Sequence, residues 1–145
     1  MPLTGDWGRL QATVRAMRKL AEVPSRASAL AAKEIKREID KSFSANTDPY
    51  GHKWEAHASS TVRRWGKHPL LRLTGAGKRA ISVRALPGAG IAIESPDEGL
   101  AFAQGGTVNE PKRRFLPENQ LPATWNRAIE RAVTVSMKEV TRGTL

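Results

Sequence analysis

The stretch SFSANTDPYGHKWEAHASST, residues 42–61, decides how this chain folds. A polar turn, Asn46-Thr47-Asp48-Pro49-Tyr50-Gly51, stands between two large apolar residues, Phe43 and Trp54. A solvated linker needs neither ring. A catalytic loop needs a nucleophile and a base that make sense together. Asp48-Pro49-Tyr50-Gly51 has proline at its second position and glycine at its fourth, the preference of a type I turn. The chain therefore reverses here, at the end of a helix.

That helix is legible upstream. In PSRASALAAKEIKREIDKSF, Ala27, Leu30 or Ala31, Ile35, Ile39 and Phe43 share one face, which predicts a helix from about residue 24 to about residue 43. Its alanine-rich first half suits close packing, against a preceding helix or a neighbouring subunit. The preceding helix covers residues 8–20, where Leu10, Val14, Met17 and Leu20 form an amphipathic stripe. Pro24 can stop it or open the next helix.

Downstream of the turn, SSTVRRW fits a short helix, and Trp65 to Pro69 is loop. From Leu70 the period shifts. RAISVRAL alternates Ala80, Ser82 and Arg84 against Ile81, Val83 and Ala85, a strand with one buried face. The turn Pro87 to Gly90 and a second alternating run, IAIES, complete a β-hairpin. EPKRRFLP reads as a third strand; prolines at 111 and 117 place it at an edge. After Pro122, Trp125, Ile129, Ala132 or Val133, Ser136 and Val140 recur at helical spacing, and Gly143 closes the helix. The expected class is α+β: two N-terminal helices, a small antiparallel sheet and a C-terminal helix.

The chain has 145 residues, which predicts one domain over 1–145, with residues 1–23 as a helical N-terminal extension. It has no cysteine, so a disulfide framework and thiolate metal sites are excluded. The N-terminus lacks the apolar core of a signal peptide, and no apolar run approaches the ~20 residues of a membrane span. A reducing compartment without a membrane anchor is expected. The net charge is +10 and uneven. Residues 56–93 hold Arg63, Arg64, Lys67, Arg72, Lys78, Arg79 and Arg84 and no acid; residues 94–110 hold Glu94, Asp97, Glu98 and Glu110 and no Lys or Arg. Adjacent patches of opposite sign favour pairing with copies or partners, whereas a uniformly basic surface favours nucleic acid.

Catalytic and metal signatures are missing. TGAGKRA lacks the P-loop's first glycine, which is Arg72 here, and its hydroxyl, which is Arg79. His52 and His57 lie five apart, off a common helix face, and no carboxylates repeat at ligand spacing. No catalytic residue, cofactor or metal is expected, and the chain reads as a non-enzyme. Trp7, Trp54, Trp65 and Trp125 are the largest apolar side chains. Trp54 and Trp125 read as core or interface anchors; Trp65, between Arg64 and Lys67, also suits base stacking.

Taken together, SFSANTDPYGHKWEAHASST, LLRLTGAGKRAISVR, LAFAQGGT and PKRRFLP resemble the phage virion morphogenesis family, the tail completion or head–tail joining proteins of tailed phages. The family pattern is a helix ending in Phe, a D-P-x-G-x-x-W turn followed by a Thr, an L-x-x-T-G element leading into a strand, an H-Q-x-G-like stretch, and P-x-R-x-F-L before the last helix. Phe43, Asp48, Pro49, Gly51, Trp54 and Thr61 match the first part. Leu71, Thr74 and Gly75 match the second, and Arg114, Phe115 and Leu116 the last. The likeness covers residues 28–135. It departs at Ala76-Gly77, where the family commonly has a bulky aliphatic, and at Ala103, which replaces the histidine before Gln104.

The resemblance implies a structural component of the virion neck, a ring, with a hexamer favoured, that joins tail to head. It implies neighbours such as the head–tail connector and the tail terminator or tube, and a passing contact with genomic DNA. It also implies assembly in the bacterial cytoplasm and final residence in the virion. Trp54 is then expected to fold back onto Phe43, with Phe115 and Trp125 completing the core. Arg63, Arg64, Lys67, Arg72, Lys78, Arg79, Arg113 and Arg114 become the expected interface or DNA-channel residues. The alternative is a small basic DNA-binding protein.

Overall fold

The structure, a computed structural model, describes residues 6–66, 76–96, 98–107 and 111–142. Leu71, Thr74 and Gly75 of the L-x-x-T-G element, the cations Lys67 and Arg72, and Gly143 lie outside the described residues. The architecture is α+β. Helix α1 runs Trp7–Leu20 and α2 Val23–Ala45. Three short helices, α3 (Ser59–Trp65), α4 (Ala76–Ala80) and α5 (Glu98–Gly105), interleave with the strands β1 (Ser82–Ala85) and β2 (Ile91–Glu94). The long helix α6 (Ala123–Thr141) ends the fold.

Helix α1 starts where the Asp6 carboxylate accepts from the Arg9 N–H at 2.8 Å, an N-cap that satisfies one orphan donor. Pro24 sits in the first turn of α2, where its missing N–H costs nothing. Only Ala21 and Glu22 separate the two helices, and both keep helical backbone angles, so α1 and α2 form one long helix bent ahead of the proline.

Helices α2 and α6 pack antiparallel along each other: Arg26 meets Glu139 at 3.8 Å, and Glu34 meets Arg131 at 3.9 Å. The residues buried along this seam are mostly small, Ala27, Ala31 and Ala32 on α2 and Ala128, Ala132 and Ser136 on α6, with Val140 near its end. Small side chains let the backbones approach closely. Within the chain the alanine face of α2 packs on α6 rather than on the preceding helix. Ser136 is fully buried, and its Oγ has no hydrogen-bond partner. An unpaired hydroxyl in that position costs about 1–3 kcal/mol of desolvation. Ser136→Ala is therefore expected to raise stability by about 1 kcal/mol in urea denaturation; a loss of stability would mean that the hydroxyl is paired.

Past the alanines the α2 stripe enlarges. Ile35, Ile39 and Phe43 join Trp54, Ile81, Leu100, Phe115 and Trp125 in one core, with Val83, Ile91, Ile93, Leu116 and Ile129 packed around it. Strands β1 and β2 pair antiparallel, with Ser82 opposite Glu94 and Ala85 opposite Ile91. The hairpin's tip is tied to α2: the Ser28 hydroxyl donates to the Pro24 carbonyl at 2.7 Å and accepts from the Gly90 N–H at 2.9 Å.

The predicted third strand is not there. Residues 111–117 carry no strand, and the sheet of the described residues has two strands. LAFAQ lies in α5, whose Leu100 and Ala103 face the core. The physical reason for the missing ladder is that Pro111 and Pro117 have no N–H to donate, while the amides between them bond to a side chain and to the end of α5.

Candidate assembly elbow and basic face

The turn after α2 is built from its own residues. Asn46 ends the helix in the left-handed region (φ 55°, ψ 43°), which asparagine tolerates better than most residues. Its carbonyl accepts from the Trp54 N–H at 2.7 Å, which closes the loop. Inside it, Gly51 N–H reaches the Asp48 carbonyl at 3.1 Å. The Asp48 carboxylate accepts from the N–H groups of Tyr50 and His52, both at 2.9 Å. Gly51 has φ +93°, a conformation that strains any side chain. Thr47 bridges Lys53 beneath.

This loop delivers Trp54 onto Phe43 edge-to-face, centroids 5.5 Å apart and planes at 83°. Phe115 also packs on Phe43, centroids 5.6 Å apart. The indole N–H donates to the Arg114 carbonyl at 2.7 Å. Tyr50 strengthens the same joint: its hydroxyl lies 2.7 Å from the Glu118 carbonyl, accepts from the Glu118 N–H at 3.2 Å, and touches the Gln120 carbonyl. Residues 43–54 and 114–120, sixty or so positions apart, thus form one elbow.

Gln104 holds the far side. Its Oε1 accepts from Phe115 N–H (2.9 Å) and Leu116 N–H (3.0 Å), and its Nε2 donates to the Leu116 carbonyl (2.9 Å). The amide side chain stands in for the neighbouring strand that 111–117 lacks. The Arg113 N–H adds a bond to the Ala103 carbonyl at 2.7 Å. Sequence reasoning assigned no role to Gln104 or to Tyr50; the signal for Gln104 was its place in the stretch that resembles H-Q-x-G.

Compared with protein families, with curated proteins and with solved structures, the chain matches none. Its chemistry must be read from its own geometry. Among the described residues no three His, Asp or Glu side chains gather as a metal ion would need. His52 turns to Asp48, Nδ1 to Oδ2 3.1 Å. No helix among the described residues is long and apolar enough to cross a membrane.

The expected basic face divides. Arg113 turns inward, its guanidinium donating to the carbonyls of Glu55 (2.9 Å) and Ala56 (3.1 Å). Arg114 is half-buried and pairs with Glu118 at 3.1 Å. Both are held by contacts within the chain. Lys78 is half-buried, with Nζ 6.0 Å from the centre of the Phe43 ring. Arg84 pairs across the hairpin with Glu94 at 2.9 Å, so the first acid of the acidic segment is met within the chain. Arg63, Arg64 and Arg79 are exposed. Arg64 lies over the exposed Trp65 ring at 5.0 Å, and among the described residues neither it nor Arg63 makes an ion pair. Trp125, Phe43 and Phe115 are buried, and Thr61 on α3 is half-buried.

Proposed function

We propose that this chain is a structural component of the tailed-phage neck, a tail completion protein that assembles as a ring and joins tail to head. It carries out no chemistry. The observation that supports this reading is the convergence of separated motif pieces. The helix-ending Phe43, the D-P-x-G-x-x-W turn ending at Trp54, and the R-F-L run at 114–116 are the segments that resemble the tail completion family. They meet in a single aromatic elbow. An elbow of this kind fixes the angle between long helices and hairpin, which a ring subunit needs in order to repeat one geometry around an axis.

The test is location. Gold-labelled antibody against the chain, applied to assembled tailed particles that encode it, is expected to mark the junction of head and tail. Labelling along the tail shaft, or none on the particle, would overturn the proposal.

The second reading, a small DNA-binding protein, rests on the exposed trio Arg63, Arg64 and Trp65 on α3. A dedicated binder retains duplex in a gel shift at both about 50 and about 200 mM salt, which a neck ring need not do.

A further inference from the structure

Helix α1 leaves its large apolar side chains uncovered. Trp7, Leu10, Val14, Met17 and Leu20 are all exposed, Met17 by 64%, and α1 buries no residue at all. Its half-buried residues, Ala16 and Lys19, lie round the helix from this stripe, so α1 rests on α6 with the stripe turned outward. The charges on the same helix have one sign. Residues 7–20 hold four Lys/Arg and no Asp or Glu; Asp6, just outside, caps the helix. At about 100° per residue, Arg9 falls along one edge of the stripe, and Arg15 and Arg18 fall along the other. Among the described residues none of these three arginines makes an ion pair.

We infer that α1 is a docking helix for an anionic phospholipid surface. It lies in the plane of the surface, with the stripe from Trp7 to Leu20 among the upper acyl chains and the arginines among the headgroups. The inference goes beyond the neck reading and does not rest on it. Three features favour lipid as the occupant. An exposed apolar stripe beside a wholly cationic polar face is the pattern of a helix that lies on a membrane. With 14 residues α1 is about 21 Å long, too short to span a bilayer but long enough to lie along one. The charges are complementary on both sides at once. Arginine stems can run along the apolar layer and lift their guanidinium groups to phosphates at either edge of the stripe. The positions 9, 15 and 18 are unevenly spaced. A headgroup layer supplies anions at any spacing, whereas a protein groove would need acids built to match on both banks. A second copy offers no such surface, because the chain as a whole carries +10 and repels its own cations.

Co-flotation of the full-length chain with vesicles tests this, using phosphatidylcholine alone and phosphatidylcholine with about one-third phosphatidylserine. The wild-type chain is expected to float with the anionic vesicles at least about tenfold better than with the neutral ones, and less well as salt rises from about 50 to about 500 mM. Leu10→Gln with Met17→Gln leaves the charge unchanged and keeps a good helix former at two exposed positions, so circular dichroism should not move. It should weaken anionic binding by about tenfold or more, because two apolar anchors are lost. A charge-matched pair separates α1 from general basicity. Arg15→Gln with Arg18→Gln should weaken binding clearly, while Arg63→Gln with Arg64→Gln, on α3, should leave it within about twofold. A wild-type chain that ignores anionic vesicles overturns the inference. So does a glutamine stripe variant that binds as well as wild type, or equal losses from the two arginine pairs, since either means adsorption by net charge alone. Self-association on a sizing column that the stripe variant abolishes, without vesicle binding by wild type, would show that another copy covers α1. None of these outcomes bears on the neck reading, which particle labelling decides.

Discussion

Trp54→Ala should lower folding stability by about 4 kcal/mol, near the middle of the range for emptying a buried aromatic site. The ring is 7% exposed and packs on Phe43, which is itself wholly buried, so the walls of the cavity cannot collapse without moving α2. The Arg114 carbonyl loses its indole donor as well, a further cost of about 1 kcal/mol. Against a total stability of roughly 5–15 kcal/mol for a domain, the variant is expected to lose folding and assembly together. Urea denaturation followed by Phe43–Trp54-independent circular dichroism gives the number. Trp54→Phe separates the two terms: it keeps an aromatic edge against Phe43 and drops the hydrogen bond, so a smaller loss of about 1–2 kcal/mol is expected. An alanine variant within about 1 kcal/mol of wild type, soluble and fully assembled, contradicts the elbow as the brace of the fold.

Gln104→Ala is expected to cost about 2–3 kcal/mol, more than a typical polar substitution. One side chain serves three backbone groups, the N–H groups of Phe115 and Leu116 and the Leu116 carbonyl. Removing it leaves all three without their partner beside a buried Phe115 ring. The effect should be local before it is global. Amide exchange at Phe115 and Leu116 should accelerate more than at Ile35 or Ile39, because the segment peels from α5 while the helices stay packed. Gln104→Glu keeps the two accepting contacts and loses the donor, so it should fall between wild type and alanine. Uniform loss of protection across α2 and α6 would show instead that Gln104 supports the whole core.

Those two residues mark how far the sequence could be read. Helix positions came from the period of Ile35, Ile39 and Phe43 and of Trp125, Ser136 and Val140. Burial of those faces makes the pattern strict. The hairpin was visible because Val83 and Ala85 alternate with exposed Ser82 and Arg84. The turn was visible because Asp48, Pro49 and Gly51 each meet a specific backbone demand. Residues 111–117 misled for a physical reason. An extended, apolar, proline-bounded run looks like an edge strand whether its amides face another strand or the amide of Gln104, and local pattern carries no information on the partner. The same limit affected the cations. Arg113 and Arg114 look like Arg63 and Arg64 in sequence, but the first two are drawn inward by the carbonyls of 55–56 and by Glu118. The stripe on α1 was legible as amphipathic; that it faces away from its own core was not, since periodicity gives a face and never says what covers it.

Self-assembly is the central claim of the proposed neck function. Native mass spectrometry of the purified, full-length chain tests it most directly. The account predicts a single closed species containing several copies of the 15.9 kDa chain, six being favoured, at high micromolar concentration. A chain that remains one copy throughout that range, or that grows into an open ladder of sizes with no preferred count, would contradict it.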